Sequence, residues 1–204
     1  MIKIKICGMK YPNNIIEVSD LLPDFMGFIF WKKSARYFDE SMPKIPKSIK
    51  KVGVFVDADF DEIILISNKY KLDFVQLHGN ETISFCQKLK NNNINIIKVF
   101  AVDDDFDFQK TIEFEPVCDY FLFDTKGKLP GGNGTIFNWD VLKKNKSTKP
   151  FFLSGGIGIN EISVIKTLNL PIFAIDANSK LETIPGEKNV DACKIFISKL
   201  NSRL

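Results

Sequence analysis

Residues 51–78 read KVGVFVDADFDEIILISNKYKLDFVQLH, and this stretch decides the fold. A β-rich run, KVGVFV (51–56), is followed by a segment from Asp59 to Tyr70 with apolar positions at helical spacing and acids near its start. A second β-rich run, FVQLH (74–78), comes next. Strand, helix and strand in that order make a βαβ unit, whose two strands lie parallel in one sheet. The alternation continues outward in both directions. IKIKIC (2–7) and FMGFIF (25–30) precede it, while NIIKVFA (95–101), DYFLFD (119–124), PFFLSG (150–155) and PIFAID (171–176) follow. Further helical segments are predicted at Glu81 to Lys90, Asp104 to Phe114 and Asn160 to Leu168. The Pro-rich MPKIPKS (42–48) reads as the surface connection after a second, short helical segment.

Eight strands, each followed by a helix, predict an α/β chain forming a single (β/α)8 TIM barrel domain over residues 1–204, with short loops because this length is near the lower limit for that fold. An open doubly wound sheet has the same periodicity and is the chief alternative. No linker or low-complexity segment marks a domain boundary. The hydrophobic share of 45% is ample for one substantial core. A net charge of +3, with basic residues scattered along the chain, leaves no footprint for nucleic acid. The N-terminus alternates apolar and charged residues, unlike a signal peptide, and no apolar run reaches membrane-spanning length, so a cytoplasmic protein without membrane contact is expected. Cys7, Cys86, Cys118 and Cys193 form no CxxC pair and only one histidine accompanies them, so free thiols and no metal site are expected.

In barrels of this type the chemistry sits where strands end. Here the endings are Cys7 with Gly8, the KKSARY loop (32–37), Asp57, His78 with Gly79, Asp124, Ser154 with Gly155 and Gly156, and Asp176 with its loop. Alternation puts Lys5 on the face of Cys7, Gln76 on that of His78 and Tyr120 on that of Asp124, which predicts a polar layer inside the barrel. Gly155 and Gly156, between a strand and a helix, let backbone N–H groups approach a phosphate, although glycine at a break also serves plain turn formation. After the eighth strand, Asn178 and Ser179 offer further donors. Taken alone, Cys7 reads as a small buried filler, Asp124 as a turn-capping acid, and His78 as the natural base near neutral pH.

KICG, GFIF followed by KSARY, VGVFVD, VQLHGNE, IKVF, FDTKG with GGNGTIFNW, LSGGI and AIDANSKLETIPGEKN occur in order over nearly the whole chain. Together they resemble phosphoribosylanthranilate isomerase of tryptophan biosynthesis. The resemblance implies an Amadori rearrangement of a small phosphorylated substrate, with no metal or organic cofactor, in a monomer or homodimer. It makes Cys7 the base and Asp124 the acid, and leaves His78 as site lining. Arg36 is predicted to hold the anthranilate carboxylate through two donors, with Gly155, Gly156, Asp176, Asn178 and Ser179 completing the substrate contacts. Lys5 is predicted to favour the Cys7 thiolate, and burial beneath Phe121 and Phe123 to keep Asp124 protonated. Three features depart from the family pattern: Asn138 stands where Asp is usual, Lys180 lies in a loop of usually small residues, and GMKYPNN opens the first helix. Among competitors, the histidine-pathway isomerase uses paired aspartates, which Cys7 argues against. Metal-dependent epimerases need several histidines, and a catalytically silent phosphate-binding barrel does not need Cys7 and Asp124 together.

Overall fold

The computed structural model describes residues 2–125 and 138–202. Strands β1 (Lys3–Ile6), β2 (Phe25–Ile29), β3 (Lys50–Phe55), β4 (Phe74–Leu77), β5 (Ile96–Val102), β6 (Tyr120–Thr125), β7 (Phe151–Leu153) and β8 (Ile172–Ala177) pair in sequence order, and β8 returns to β1 to close the barrel. Every pairing around it is parallel. The eight β-rich runs of the sequence are these eight strands, and closure excludes the open doubly wound sheet.

The helices follow local signals. In α2 (Phe60–Tyr70) the Asp59 side chain accepts from Glu62 N–H at 2.8 Å, and the first turn carries Asp61 and Glu62, favourable at the positive end of a helix dipole. α1 (Pro12–Ser19) begins on a proline, whose missing N–H costs nothing in the first turn. α3 (Ile83–Lys90), α4 (Gln109–Phe114), α5 (Ile162–Thr167) and α6 (Val190–Asn201) complete the set.

Three expectations need correction. No helix lies between β2 and β3: residues 30–49 form turns and an extended strap, because Pro43 and Pro46 remove N–H donors and hold their predecessors extended. The strap is tied down instead by Phe38, whose ring centroid lies 5.2 Å from that of Phe28 and 5.5 Å from Tyr70. α3 starts two residues after Glu81, with Thr82 as its cap, and α4 starts only at Gln109. Between β6 and β7 the described residues form a 3-10 turn, Trp139–Lys144, rather than an α-helix; Asn138, which stands where the family pattern has Asp, caps it by accepting from Asp140 N–H at 3.1 Å.

Two apolar bodies support the strands. One, containing Ile4, Ile6, Phe28, Phe100, Phe121, Phe123 and Phe196, fills the space between barrel and helices. The other fills the bore: Phe25, Val52, Ile97, Val99, Leu122, Phe152 and Ala174, with Phe74, Tyr120 and Phe173 packed against them. Tyr120 stacks on Phe173 at 4.7 Å and Phe25 meets Phe152 edge-on at 5.2 Å, favourable ring geometries that plug the barrel at its N-terminal half. The polar groups of the bore are left above this plug.

Candidate active site

The predicted polar layer is present around Lys5, Gln76 and Asp176, whereas Tyr120, expected on the same face as Asp124, lies in the apolar plug below it. Lys5 is fully buried, and its ammonium donates to Asp176 Oδ2 at 2.8 Å and across the bore to Gln76 Oε1 at 2.8 Å. Strand register brings this about: Lys5 pairs with Asp176 across the β1–β8 seam, so their side chains share one level of the bore. The second oxygen, Asp176 Oδ1, is buried and has no partner among the described residues, leaving an acceptor for a donor from outside the chain.

Directly above lie the proposed acid and base. Cys7 continues β1, with its N–H donating to Ala177 O at 2.9 Å, and its thiol is buried. A Cβ on Gly27 would stand 2.5 Å from Cys7 Sγ, so glycine in β2 is what leaves room for the sulfur. Burial pushes the thiol above its ordinary value; Lys5 pulls it down, Asp176 pushes it up, and Lys188 pulls it down more weakly. The direction expected of Lys5 is thus right, but burial outweighs it. Asp124 is buried too, with Oδ1 accepting from Thr125 N–H at 2.9 Å and Oδ2 lying 3.5 Å from His78 Nε2. Phe121 and Phe123 do not cover it, because alternation turns them to the outer core; His78 and Asp176 face it instead. Asp176 is the link between the two groups: burial raises its carboxyl, Lys5 lowers it, and Asp124 raises it.

The loops after β7 and β8 stand side by side. Gly155 and Gly156 have φ of +95° and +64°, and a Cβ on Gly155 would meet Thr125 Oγ1 at 2.1 Å. Gly158 abuts Lys180, whose Cβ is 2.8 Å from the place of a glycine Cβ. Asn178 precedes a short 3-10 turn, Ser179–Leu181, so the glycine pair and Asn178 follow the C-terminal ends of β7 and β8, the end where such barrels take phosphate. The parts of the FDTKG and GGNGTIFNW motifs beyond Thr125 and before Asn138 lie outside the described residues.

Arg36 reaches this mouth but not alone. Its Nε and Nη2 donate to the two oxygens of Glu182 at 2.8 and 2.7 Å, which uses the side edge of the guanidinium and leaves the end edge, Nη1 with Nη2, facing away from Glu182. Glu182 opens a small hairpin, β9 (Glu182–Ile184) with β10 (Glu187–Lys188). Its carboxylate also accepts from Gly186 N–H at 3.0 Å and Lys188 Nζ at 2.8 Å. Glu182, Lys188 and Asn14 were missed as site residues: the first two lie inside the quoted AIDANSKLETIPGEKN, but no periodicity or spacing marks them. Among the described residues no three of His, Cys, Asp and Glu gather as metal ligands, and no helix is long and apolar enough to cross a membrane.

A buried thiol and a buried carboxyl at the C-terminal mouth of a closed parallel barrel, over an apolar plug and beside the loops after β7 and β8, place this chain among the (β/α)8 barrels that carry an active site at that end. The profile of the family described as N-(5'phosphoribosyl)anthranilate (PRA) isomerase matches residues 4–199. The chain belongs to that family. An N-(5'-phosphoribosyl)anthranilate isomerase of Parabacteroides distasonis is 41% identical over 204 residues, spanning 97% of this chain and 92% of the relative. The crystal structure of phosphoribosyl anthranilate isomerase from Thermotoga maritima superposes with a TM-score of 0.83 at 29% identity, covering 98% of each chain. A further isomerase structure, in complex with reduced 1-(o-carboxyphenylamino)-1-deoxyribulose 5-phosphate, gives 0.80 at 27% identity, again over 98% of each chain.

Proposed function

We propose that this chain, acting as one barrel domain, performs its family's isomerisation of N-(5-phosphoribosyl)anthranilate as an aldose–ketose conversion carried by Cys7 and Asp124. The observation that carries the reading is the convergence of both groups on the buried Asp176–Lys5 pair: Asp176 acts electrostatically on Cys7 and is itself acted on by Asp124. Asp124 gives its proton to the ribose ring oxygen; the C1–O bond breaks and leaves a cationic Schiff base. The Cys7 thiolate then takes the proton from C2, and the electron pair neutralises the Schiff base to an enolamine. The thiol returns a proton to C1 while the enol hydroxyl gives its proton to Asp124, which yields the ketone and resets both groups. The Schiff-base cation, one carbon from the reacting C–H, favours the thiolate that burial otherwise opposes.

The same reading gives each further residue a task. Asp176 Oδ1 accepts from a sugar hydroxyl, the end edge of Arg36 holds the anthranilate carboxylate, His78 lines the site beside Asp124, and Gly155, Gly156, Asn178 and Ser179 hold the phosphate. The test is the loss of substrate fluorescence on mixing. Cys7→Ser and Asp124→Asn are expected to lower kcat by roughly 10² to 10⁴-fold with little change in KM, which is the usual contribution of a general acid or base. A folded Cys7→Ser that keeps wild-type turnover, with His78→Ala inactive, would transfer the base role to His78.

A further inference from the structure

The Arg36 guanidinium presents a difficulty as a carboxylate clamp. Glu182 already occupies one of its edges at 2.7 to 2.8 Å, with its own carboxylate buried at 5% exposure. A guanidinium and a carboxylate in such contact carry no net charge, and a substrate carboxylate arriving at the other edge meets the field of Glu182 as well as that of Arg36. The compensating charge is Lys188. Its side chain is fully buried, and Nζ donates to Glu182 Oε1 at 2.8 Å, Asn178 Oδ1 at 2.7 Å and Asn178 O at 3.3 Å. A carboxylate, an amide oxygen and a carbonyl have no proton to offer, so all three bonds need donors from the lysine, which only the ammonium form supplies. The backbone of Lys188 is fixed equally well: its N–H donates to Asn14 Oδ1 at 2.7 Å and its carbonyl accepts from Asn14 Nδ2 at 2.8 Å, locking the hairpin to α1.

We propose that Lys188 is a positioning residue that sets the charge of the carboxylate clamp: by pairing with Glu182 it cancels the charge that Glu182 brings to Arg36, so the guanidinium keeps one net positive charge for the substrate carboxylate. This rests on the assignment of Arg36 to that carboxylate. Glu182 then serves to orient Arg36, and Lys188 removes the electrostatic cost of that orientation. Gly8 completes the arrangement, since a Cβ there would strike Asn178 Oδ1 at 2.5 Å and Arg36 Cδ at 2.8 Å; its absence lets the Lys188-held Asn178 and the Glu182-held Arg36 close on one point.

A charge-balance series tests this with N-(5-phosphoribosyl)anthranilate as the probe. Lys188→Met leaves Glu182 to neutralise Arg36, and KM is expected to rise roughly ten- to a hundred-fold, the loss of a charge-assisted contact, with a much smaller change in kcat. The double variant Lys188→Met with Glu182→Gln removes both charges and restores the single positive charge of Arg36, so KM is expected to return to within a few-fold of wild type. A lysine that only braces the hairpin predicts the opposite, a double variant at least as impaired as the single one, and that result would overturn the proposal. An unchanged KM in Lys188→Met would also overturn it. If Lys188→Met leaves Glu182 too poorly compensated to fold, the double variant, which leaves neither position 182 nor position 188 charged, decides alone: a near-wild-type KM supports the proposal, and an elevation above roughly ten-fold overturns it. Arg36→Ala, measured alongside, separates the two readings. If it raises KM while Lys188→Met does not, only the role of Lys188 falls; if it leaves KM unchanged, the carboxylate assignment falls and the proposal with it.

Discussion

Burial and three ionisable neighbours compete over the Cys7 thiol. Burial raises it, Lys5 lowers it, Asp176 raises it and Lys188 lowers it, and the balance lies above the ordinary thiol value. A base with a raised value is protonated over more of the pH range, so its activity is lost as pH falls through that value and gained as pH rises. The acidic limb of kcat/KM, which reports the free enzyme, is therefore expected above the ordinary thiol range and to disappear in Cys7→Ser. A limb that stays in place in a folded Cys7→Ser would assign it to another group. In the sequence Cys7 is one of four cysteines, all buried in the structure, and composition does not distinguish them. What sets it apart is KICG at the end of the first strand. Of the partners that act on its ionisation, Lys5 lies two residues away and shows in the alternation of β1, whereas Asp176 and Lys188 come from β8 and from the hairpin after it, too distant in sequence for local pattern to show.

At the level of single elements, strands were easier to read than helices. All eight strands carry β-rich runs because both of their faces are buried, one in the bore and one under the helices. Helices depend on end signals and on what they cover: Asp59 capped as expected, whereas Glu81 turned inward, where its carboxylate takes Lys98 Nζ at 2.8 Å and Gly79 N–H at 3.0 Å to brace the loop of His78. β2 offers the sharpest test of an element's service to the site. In Gly27→Ala the new methyl group would lie 2.5 Å from Cys7 Sγ and 3.1 Å from its Cα, so both the thiol and the end of β1 must move. A displacement near 1 Å at a reacting group costs roughly 10²-fold, and kcat is expected to fall by that order. Wild-type kcat in Gly27→Ala would show that the thiol position is not critical.

For the whole molecule, the seam between β1 and β8 is closed over one buried ion pair. Lys5 and Asp176 are 171 residues apart and meet only when the barrel closes. Removing one partner of a buried pair typically costs about 3 to 5 kcal/mol, because the other charge is stranded, so Lys5→Met is expected to lower the urea midpoint sharply. Adding Asp176→Asn should recover part of that loss, and a double variant no more stable than Lys5→Met would refute the pairing as the source. The sequence by itself determined the eight-fold alternation, the order of the strands and, through KICG, QLHG and the glycine pair, the family. It did so because period, turn residues and short motifs are local properties of the chain. Only the tertiary structure decided that the strap between β2 and β3 has no helix, that Asp124 faces His78 rather than Phe123, and that Arg36 and Lys188 meet on the one carboxylate of Glu182. Each of these follows from barrel closure and from desolvation of charges brought together from distant segments, and neither quantity exists until the chain has folded.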